Sequence, residues 1–340
     1  MIENKDKYFE VLNDIKKTLI TTRNRIVLSA NKELVLMYYR IGLKLLENNK
    51  WGSSFIDKLA KDLKIAFPDL KGMSARNLRY MQKFAKEYDN DEFLQGVLAK
   101  LSWNHNQTLL DRVKDKTKRK WYATETINNN WTVSILTHQI ETKLYERQAL
   151  LENKTTNFDA TLPSPYKEQT KYLLKDPYIF DFINTSTNLK EIDIEQELIS
   201  NISKLLLELG NGFAFIGRQY HLEIEEEDYY IDLLFYNLIV RSYVVIELKT
   251  TEFKPEYVGK LNFYLNAIDK YVKKENDNPT FGILLCKNKK KVTVDLALKD
   301  INKPIGVSKY KILSEIPKYL TNTLPSIEDI EKRLEETIKN

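Results

Sequence analysis

Apolar residues recur every three or four positions from Tyr8 to Ile26, at Phe9, Leu12, Ile15, Leu19 and Ile26. This is the spacing of an amphipathic helix. A second run of this kind extends from Glu33 to Leu46, and shorter helices are predicted at 53–66, 74–88, 103–113 and 132–150. Ser53, Ser74 and Thr132 are placed to cap three of them. No strand-like alternation of any length intervenes, so residues 1–151 are expected to form an all-α domain. Residues 152–169, ENKTTNFDATLPSPYKEQ, lose the periodicity and carry Pro163 and Pro165, and they read as a linker.

The pattern changes in the second domain, expected over 170–340. A helix at 193–209 is followed by Gly210, Asn211 and Gly212, then by β-rich runs at 213–224, 229–236 and 242–249. Next come a helix at 256–273 started after Pro255, a buried strand at 280–286 and a helix at about 292–300. A last helix is expected from Ser326. The order α-β-β-β-α-β predicts a mixed sheet flanked by helices, giving an α+β chain of two domains. The nearly all-apolar strand cores suit strands covered on both faces.

Composition narrows the function classes. With 10 Gly, 9 Pro and 42% hydrophobic residues in 340, extensive disorder is not expected. Tyr229–Leu248 is apolar enough to suggest a membrane span, but Asp232 and Arg241 would each cost roughly 2.5–3.5 kcal/mol near a bilayer centre. No membrane association is expected, and the N-terminal MIENKDKYFE has no apolar core of a signal peptide. The single cysteine, Cys286, rules out an intrachain disulfide framework and a Cys-based zinc cage, and fits a reducing cytoplasm. His105 and His138 lack ligand spacing, and no GK[ST] loop marks an ATP-driven motor. Residues 1–150 hold 27 Lys+Arg against 18 Asp+Glu, a net of +9, and 151–340 hold 26 against 30, a net of −4. A basic first half suits a polyanion, and an acidic second half can hold a divalent cation.

Within the apolar strands, Asp232, Glu247 and Lys249 are misplaced charges. Glu247 and Lys249 lie two apart and project from one face. If 229–236 and 242–249 form a hairpin about Ile239–Val240, Asp232 falls opposite Glu247, with Cβ atoms ~5 Å apart. Two carboxylates so placed would repel, and one would take up a proton unless a cation joined them. Oxygen ligands suit Mg²⁺ or Mn²⁺ rather than zinc. Such an ion would polarise a phosphate and acidify a water nucleophile, with Lys249 orienting that water or neutralising developing charge. The bland alternative is that Lys249 only neutralises acids at a strand end. Other E-x-K triplets, at Glu141 and Glu252, lack the apolar strand and the second acid.

The stretch GNGFAFIGRQYHLEIEEEDYYIDLLFYNLIVRSYVVIELKTTEFKPEYVGKLNFYLNAID, with NPTFGILLCK and NKPIGVSKY after it, closely resembles the YhcG-like family of PD-(D/E)XK nucleases. The resemblance extends to the helical domain that precedes such nucleases. It implies a restriction-endonuclease-like fold and metal-dependent cleavage of nucleic acid, DNA before RNA, in a prokaryotic setting. The family's motif maps onto Tyr230-Ile231-Asp232, Glu247 and Lys249, with Ile231 where the superfamily's Pro is usually written. The superfamily's further acid on the first helix maps onto Glu195 in preference to Glu197. Lys260, Asn262 and Tyr264 lie on the helix where members often place an auxiliary polar residue, with no single one preferred. A catalytically inactive nucleic-acid-binding or assembly protein is the alternative from another class.

Nucleic-acid contacts are expected from the first half. Helix 53–66, a turn through Pro68 and Gly72, and a helix from Ser74 form a loose helix-turn-helix, presenting Arg76, Asn77 and Arg79. The run DRVKDKTKRK gathers Lys116, Lys118, Arg119 and Lys120, with Trp103, Trp121 and Tyr122 nearby, as a backbone-binding patch for duplex or branched DNA. Arg218, on the strand before the hairpin, is a further phosphate-contact candidate. Homo-oligomerisation is left open by the pattern.

Overall fold

The computed structural model describes residues 5–47, 53–88, 96–149, 154–183 and 190–312. The chain forms two compact units, Met1–Ile140 and Glu141–Asn340.

The first unit is helical throughout its described residues. The two helices expected before residue 47 are one, α1 (Lys5–Glu47). No Pro or Gly stands between the two apolar runs, so nothing in residues 27–32 ends the helix. Then come α2 (Ser53–Ala66), α3 (Ala75–Glu87), α4 (Trp103–Arg112), α5 (Lys116–Asn128) and α6 (Val133–Glu141). Ser74 caps α3 by accepting the N–H of Asn77, and Thr132 accepts that of Ile135. Ser53 lies within the first turn of α2. Helix α5 falls on the charge-rich run, where the apolar period is weak, and Asp115 caps it through the N–H of Lys118. The helix expected over 132–150 stops at Glu141 and gives way to a π-turn at Tyr145–Ala149. α1 and α3 pack closely at Gly42, where a Cβ would stand 2.1 Å from the Met81 carbonyl oxygen. Leu78, Met81 and Phe84 line the buried face of α3, and Trp103 closes the core edge-on against Tyr38 and Phe84.

The second unit is a seven-stranded mixed sheet. Its strands are β1 (Thr155–Thr156), β2 (Tyr178–Phe180), β3 (Phe213–Ile224), β4 (Glu227–Asn237), β5 (Ser242–Glu252), β6 (Phe281–Asn288) and β7 (Ile305–Ile312). The order is β1-β7-β6-β5-β4-β3, with β2 also pairing β7. β3, β4 and β5 form an antiparallel meander, whereas β5, β6 and β7 run parallel. The segment expected as a linker is instead built into this unit. β1 pairs β7, and α7 (Phe158–Thr161) and α8 (Tyr166–Leu173) follow it. Phe158, with no exposed surface, is the anchor that a reading of prolines and lost periodicity does not weigh.

Helices cover both faces. On one, α9 (Glu191–Ser200) and α10 (Ile202–Leu209) pack Ile194, Leu198, Leu205 and Leu209 against Leu233, Ile246 and Leu248. The single helix expected at 193–209 is divided at Asn201, whose side chain bonds back to the Glu197 carbonyl. On the other face, α11 (Glu256–Tyr271) and α12 (Lys291–Leu298) pack Leu261, Leu265 and Val294 against Ile231, Val245 and Leu284. Leu261 sits over Gly282, where a Cβ would come within 2.9 Å of its side-chain carbons. The edge of this unit is tied down from the π-turn. Arg147 pairs with Glu208 at 2.5 Å, both side chains about 5% exposed or less, and donates to the Pro177 carbonyl at 3.0 Å. The helix expected from Ser326 lies outside the described residues, and no described helix is long and apolar enough to cross a membrane.

Candidate active site

The β4–β5 ladder ends at Leu233 opposite Ile246, so Asp232 and Glu247 take the next opposed positions. This is the cross-strand offset expected from the hairpin. Beyond that point the strands part, and Asp232 Oδ2 accepts the N–H of Leu248 at 2.9 Å. β6 closes the other side, with Glu247 beside Leu284 and Lys249 beside Cys286. Asp232 is 6% exposed, Glu247 1% and Lys249 8%, so the three charges lie buried in an otherwise apolar sheet.

Two elements bring further charge to them. From α9, Glu191 Oε2 accepts Lys249 Nζ at 2.8 Å, and Glu191 Oε1 accepts the N–H of Thr250. Glu195, one turn on and 2% exposed, accepts Gln219 Nε2 at 2.7 Å. From α11, Lys260 Nζ donates to Glu247 Oε2 at 3.0 Å, while Lys249 stays 3.8 Å from the same oxygen and donates to the Leu248 carbonyl. Gln219 reaches Glu195 through local backbone strain. A register shift at Ile216 places it between the pairs Arg218–Leu233 and Tyr220–Ile231, opposite Asp232. There it adopts φ +46°, a left-handed conformation that costs a non-glycine residue free energy.

The electrostatics follow from burial. Burial, then the charge of Asp232, pushes the Glu247 carboxyl up to about 7, against the pull of Lys260 and Lys249. Burial also raises Asp232, opposed by the Leu248 N–H and both lysines. Glu195 is raised by burial and by Asp232, against its bond from Gln219. Burial alone would depress the Lys249 ammonium, but Glu191, Asp232 and Glu247 hold it above the ordinary lysine value.

Glu247 Oε1 is buried with no hydrogen-bond partner. A buried carboxylate oxygen left without a donor costs free energy that a cation would recover. Among the described residues no group of three or more His, Cys, Asp or Glu side chains is arranged as a ready metal cage. Two carboxylates with water, backbone oxygen or substrate phosphate completing the shell is how Mg²⁺ is commonly held. The residues present fit such an ion.

The structure thus gathers Asp232, Glu247, Lys249 and Glu195 at one end of β4 and β5. Arg218 is half-buried, and its charge acts on Glu195. Glu191 was not singled out by sequence, although it lies four residues before Glu195 on the same helix face. Gln219 carries no sequence signal, since nothing marks it for a positive φ.

The first unit sorts its candidates differently. Arg119 is 4% exposed and spends its guanidinium on the carbonyls of Val113 and Lys114, the Tyr88 hydroxyl and Glu87, so it is a structural brace, not a phosphate contact. Asn77 is likewise committed, donating to the Gly72 carbonyl and accepting from Trp103 and Gln107. Arg79 pairs with Asp57 across α2 and α3, both exposed. Arg76, Lys116 and Lys120 are exposed and Lys118 half-buried. Trp103 and Tyr122 belong to the core. A cleft of about 820 Å³ opens beside Arg76, bounded by Lys71, Tyr80, Trp103, Gln107 and Arg112.

Comparison with known proteins accounts for both units. Residues 171–325 match the family described as the YhcG PDDEXK nuclease domain, and 14–147 match the DUF1016 N-terminal domain. The "Putative nuclease YhcG" of Escherichia coli (strain K12) is 27% identical over 355 residues, spanning 93% of each chain. A solved "repair endonuclease from Pyrococcus abyssi" is 16% identical over 39% of this chain and 50% of that one, with a TM-score of 0.25. The "EndoMS-dsDNA2 complex" is 17% identical over 40% and 49%, with a TM-score of 0.27.

Proposed function

From the premise that this chain belongs to the YhcG-like PDDEXK nuclease family, with its N-terminal DUF1016 domain, we propose that it is a divalent-metal-dependent nuclease acting on DNA. The observation that carries this reading is the opposed, buried pair Asp232 and Glu247, one oxygen of which has no partner, beside a lysine held by its own acid.

Asp232 and Glu247 would hold Mg²⁺ or Mn²⁺. When bound, the ion supplies Lewis-acid polarisation of the phosphate and a more acidic water. Lys249 is kept protonated by Glu191 and aimed along the strand end, where its ammonium stabilises negative charge growing on the phosphate. Glu195 is held neutral more readily than a surface acid by burial, and Gln219 fixes its orientation beside Asp232. It is assigned a positioning role. Arg76, Lys116, Lys118 and Lys120 in the first unit, with Arg218 in the second, are assigned to the DNA backbone. Cys286, a buried free thiol, is in keeping with a cytoplasmic location.

The test is incubation of the purified chain with linear, branched and single-stranded DNA and with RNA, in Mg²⁺, Mn²⁺ or EDTA. Metal-dependent cleavage of DNA, lost in Glu247→Gln, supports the proposal. Binding without cleavage in every metal would assign the chain to a non-cleaving nucleic-acid-binding role, and cleavage of RNA alone would redirect the substrate.

A further inference from the structure

Glu247 is the most enclosed acid of the site, yet the group that neutralises it comes from a helix at the solvent side. Lys260 Nζ lies 3.0 Å from Glu247 Oε2, and the side chains are 45% and 1% exposed respectively. Lys249 does not take this place, because Glu191 and the Leu248 carbonyl hold it. The base of Lys260 is fixed. Its neighbour Leu261 is seated over Gly282, and its ammonium otherwise meets Tyr264, whose ring centroid is 5.2 Å away, and feels the charge of Asp232. The ammonium can therefore leave Glu247 by side-chain rotation alone, without unpacking α11.

We propose that Lys260 is a tethered counter-cation for Glu247, which an incoming divalent ion displaces and which is thereby released to bind a substrate phosphate. The proposal rests on reading Glu247 as a metal ligand. A divalent ion bound at ~2.1 Å to the unpartnered Oε1 would stand only about 5–7 Å from an ammonium still bonded to Oε2, and charges of the same sign that close repel in a poorly screened site. That repulsion acts on the partly exposed lysine, which is the mobile partner. Before metal arrives, Lys260 spares the sheet an uncompensated buried charge, at the expense of metal affinity. Reciprocity follows from thermodynamic linkage. A phosphate that holds Lys260 away from Glu247 raises the affinity for metal, and metal raises the affinity for DNA by the same factor.

The experiment uses the full-length protein and Ca²⁺ as a probe ion without DNA, titrated calorimetrically at about pH 8.5 so that a proton does not replace the lysine. Lys260→Gln keeps an N–H donor for Glu247 but carries no charge, and Lys260→Arg keeps the charge. Lys260→Gln is expected to bind Ca²⁺ about tenfold more tightly or better, as removal of a nearby unit charge requires, while Lys260→Arg stays near wild type. The gain in affinity that Ca²⁺ gives a fluorescein-labelled DNA duplex, read by anisotropy, should shrink several-fold in Lys260→Gln. Unchanged or weaker Ca²⁺ binding by Lys260→Gln overturns the proposal while leaving the metal site standing, provided Glu247→Gln abolishes binding. Ca²⁺ binding that survives Glu247→Gln overturns the metal reading itself, and this proposal with it.

Discussion

Asp232 Oδ2 accepts the backbone N–H of Leu248 one position beyond the last ladder pair of β4 and β5. The carboxylate therefore continues the sheet's hydrogen bonding at the point where the strands part, and its shape and its charge can be separated. Asp232→Asn retains an acceptor for that N–H. It is expected to melt close to wild type, to lose cleavage, and to lose the rise in melting temperature that a ligand of the folded state produces. Asp232→Ala should in addition lose the hydrogen bond, a cost of about 1 kcal/mol. Thermal melts with and without Mg²⁺, beside a nuclease assay, check both; cleavage by Asp232→Asn would remove Asp232 from the centre.

Glu247 gives the metal-free protein a pH signature. Its carboxyl titrates near 7 in the folded state, above the value of an unfolded glutamate, so the folded state binds the proton more tightly. Stability from this group is fully present below about pH 4.5 and is lost as pH rises through about 7, to the extent of roughly 3 kcal/mol. Asp232 and Glu195, also raised, act in the same direction. Urea melts at pH 5 and pH 8 should show the loss, Mg²⁺ should reverse it at the higher pH, and Glu247→Gln should flatten it.

Lys249 is expected to act on rate rather than affinity. Lys249→Ala leaves both carboxylates and most of the basic surface, so metal and DNA binding should change little while cleavage falls by roughly 10²–10³. Glu191→Gln, which loosens the lysine without removing it, should lower the rate by a smaller factor at unchanged DNA affinity. Unfolding of the sheet unit by Lys249→Ala would instead make the lysine a structural counter-charge.

In the first unit, basic residues of similar appearance should respond oppositely. Arg119→Ala removes a buried brace and is expected to cost roughly 2–4 kcal/mol of stability. Joint replacement of Arg76, Lys116 and Lys120 by Ala should leave the melting temperature nearly unchanged. It should flatten the slope of log K against log salt by about one unit per lost phosphate contact. An unaltered slope would assign those side chains to solvent or to a protein partner.

The strand meander and its site were legible because their signals are local. A period-2 hairpin sets the register of Asp232 against Glu247, and charges inside apolar strands have few harmless explanations. What was not legible depends on contacts distant in sequence. Thr155 pairs with Val307, and β2 with β7, across more than a hundred residues, so neither strand shows in a local window. Arg119 and Asn77 have the composition of nucleic-acid contacts, and only the fold shows that their donors are spent on carbonyls. Lys260 stood in sequence as one polar residue of three on its helix. It is the turn of α11 over Gly282 that selects it.

The ion pair of Arg147 with Glu208 bears on where this polypeptide can be cut. Arg147 falls at the end of the match to the DUF1016 domain, and Glu208 lies inside the match to the nuclease domain. The bounds of the two family matches therefore do not coincide with the boundary between the two compact units. A fragment starting at 152 leaves the buried Glu208 with Lys175 and the N–H of Ile179 but without its guanidinium, and loss of one partner from such a pair costs about 3–5 kcal/mol. A fragment starting at 141 keeps the guanidinium, and with it the donor to the Pro177 carbonyl. Expressed side by side, the longer fragment should melt cooperatively and the shorter should melt many degrees lower or aggregate. Equal melting of the two would show that the π-turn is dispensable to the sheet unit.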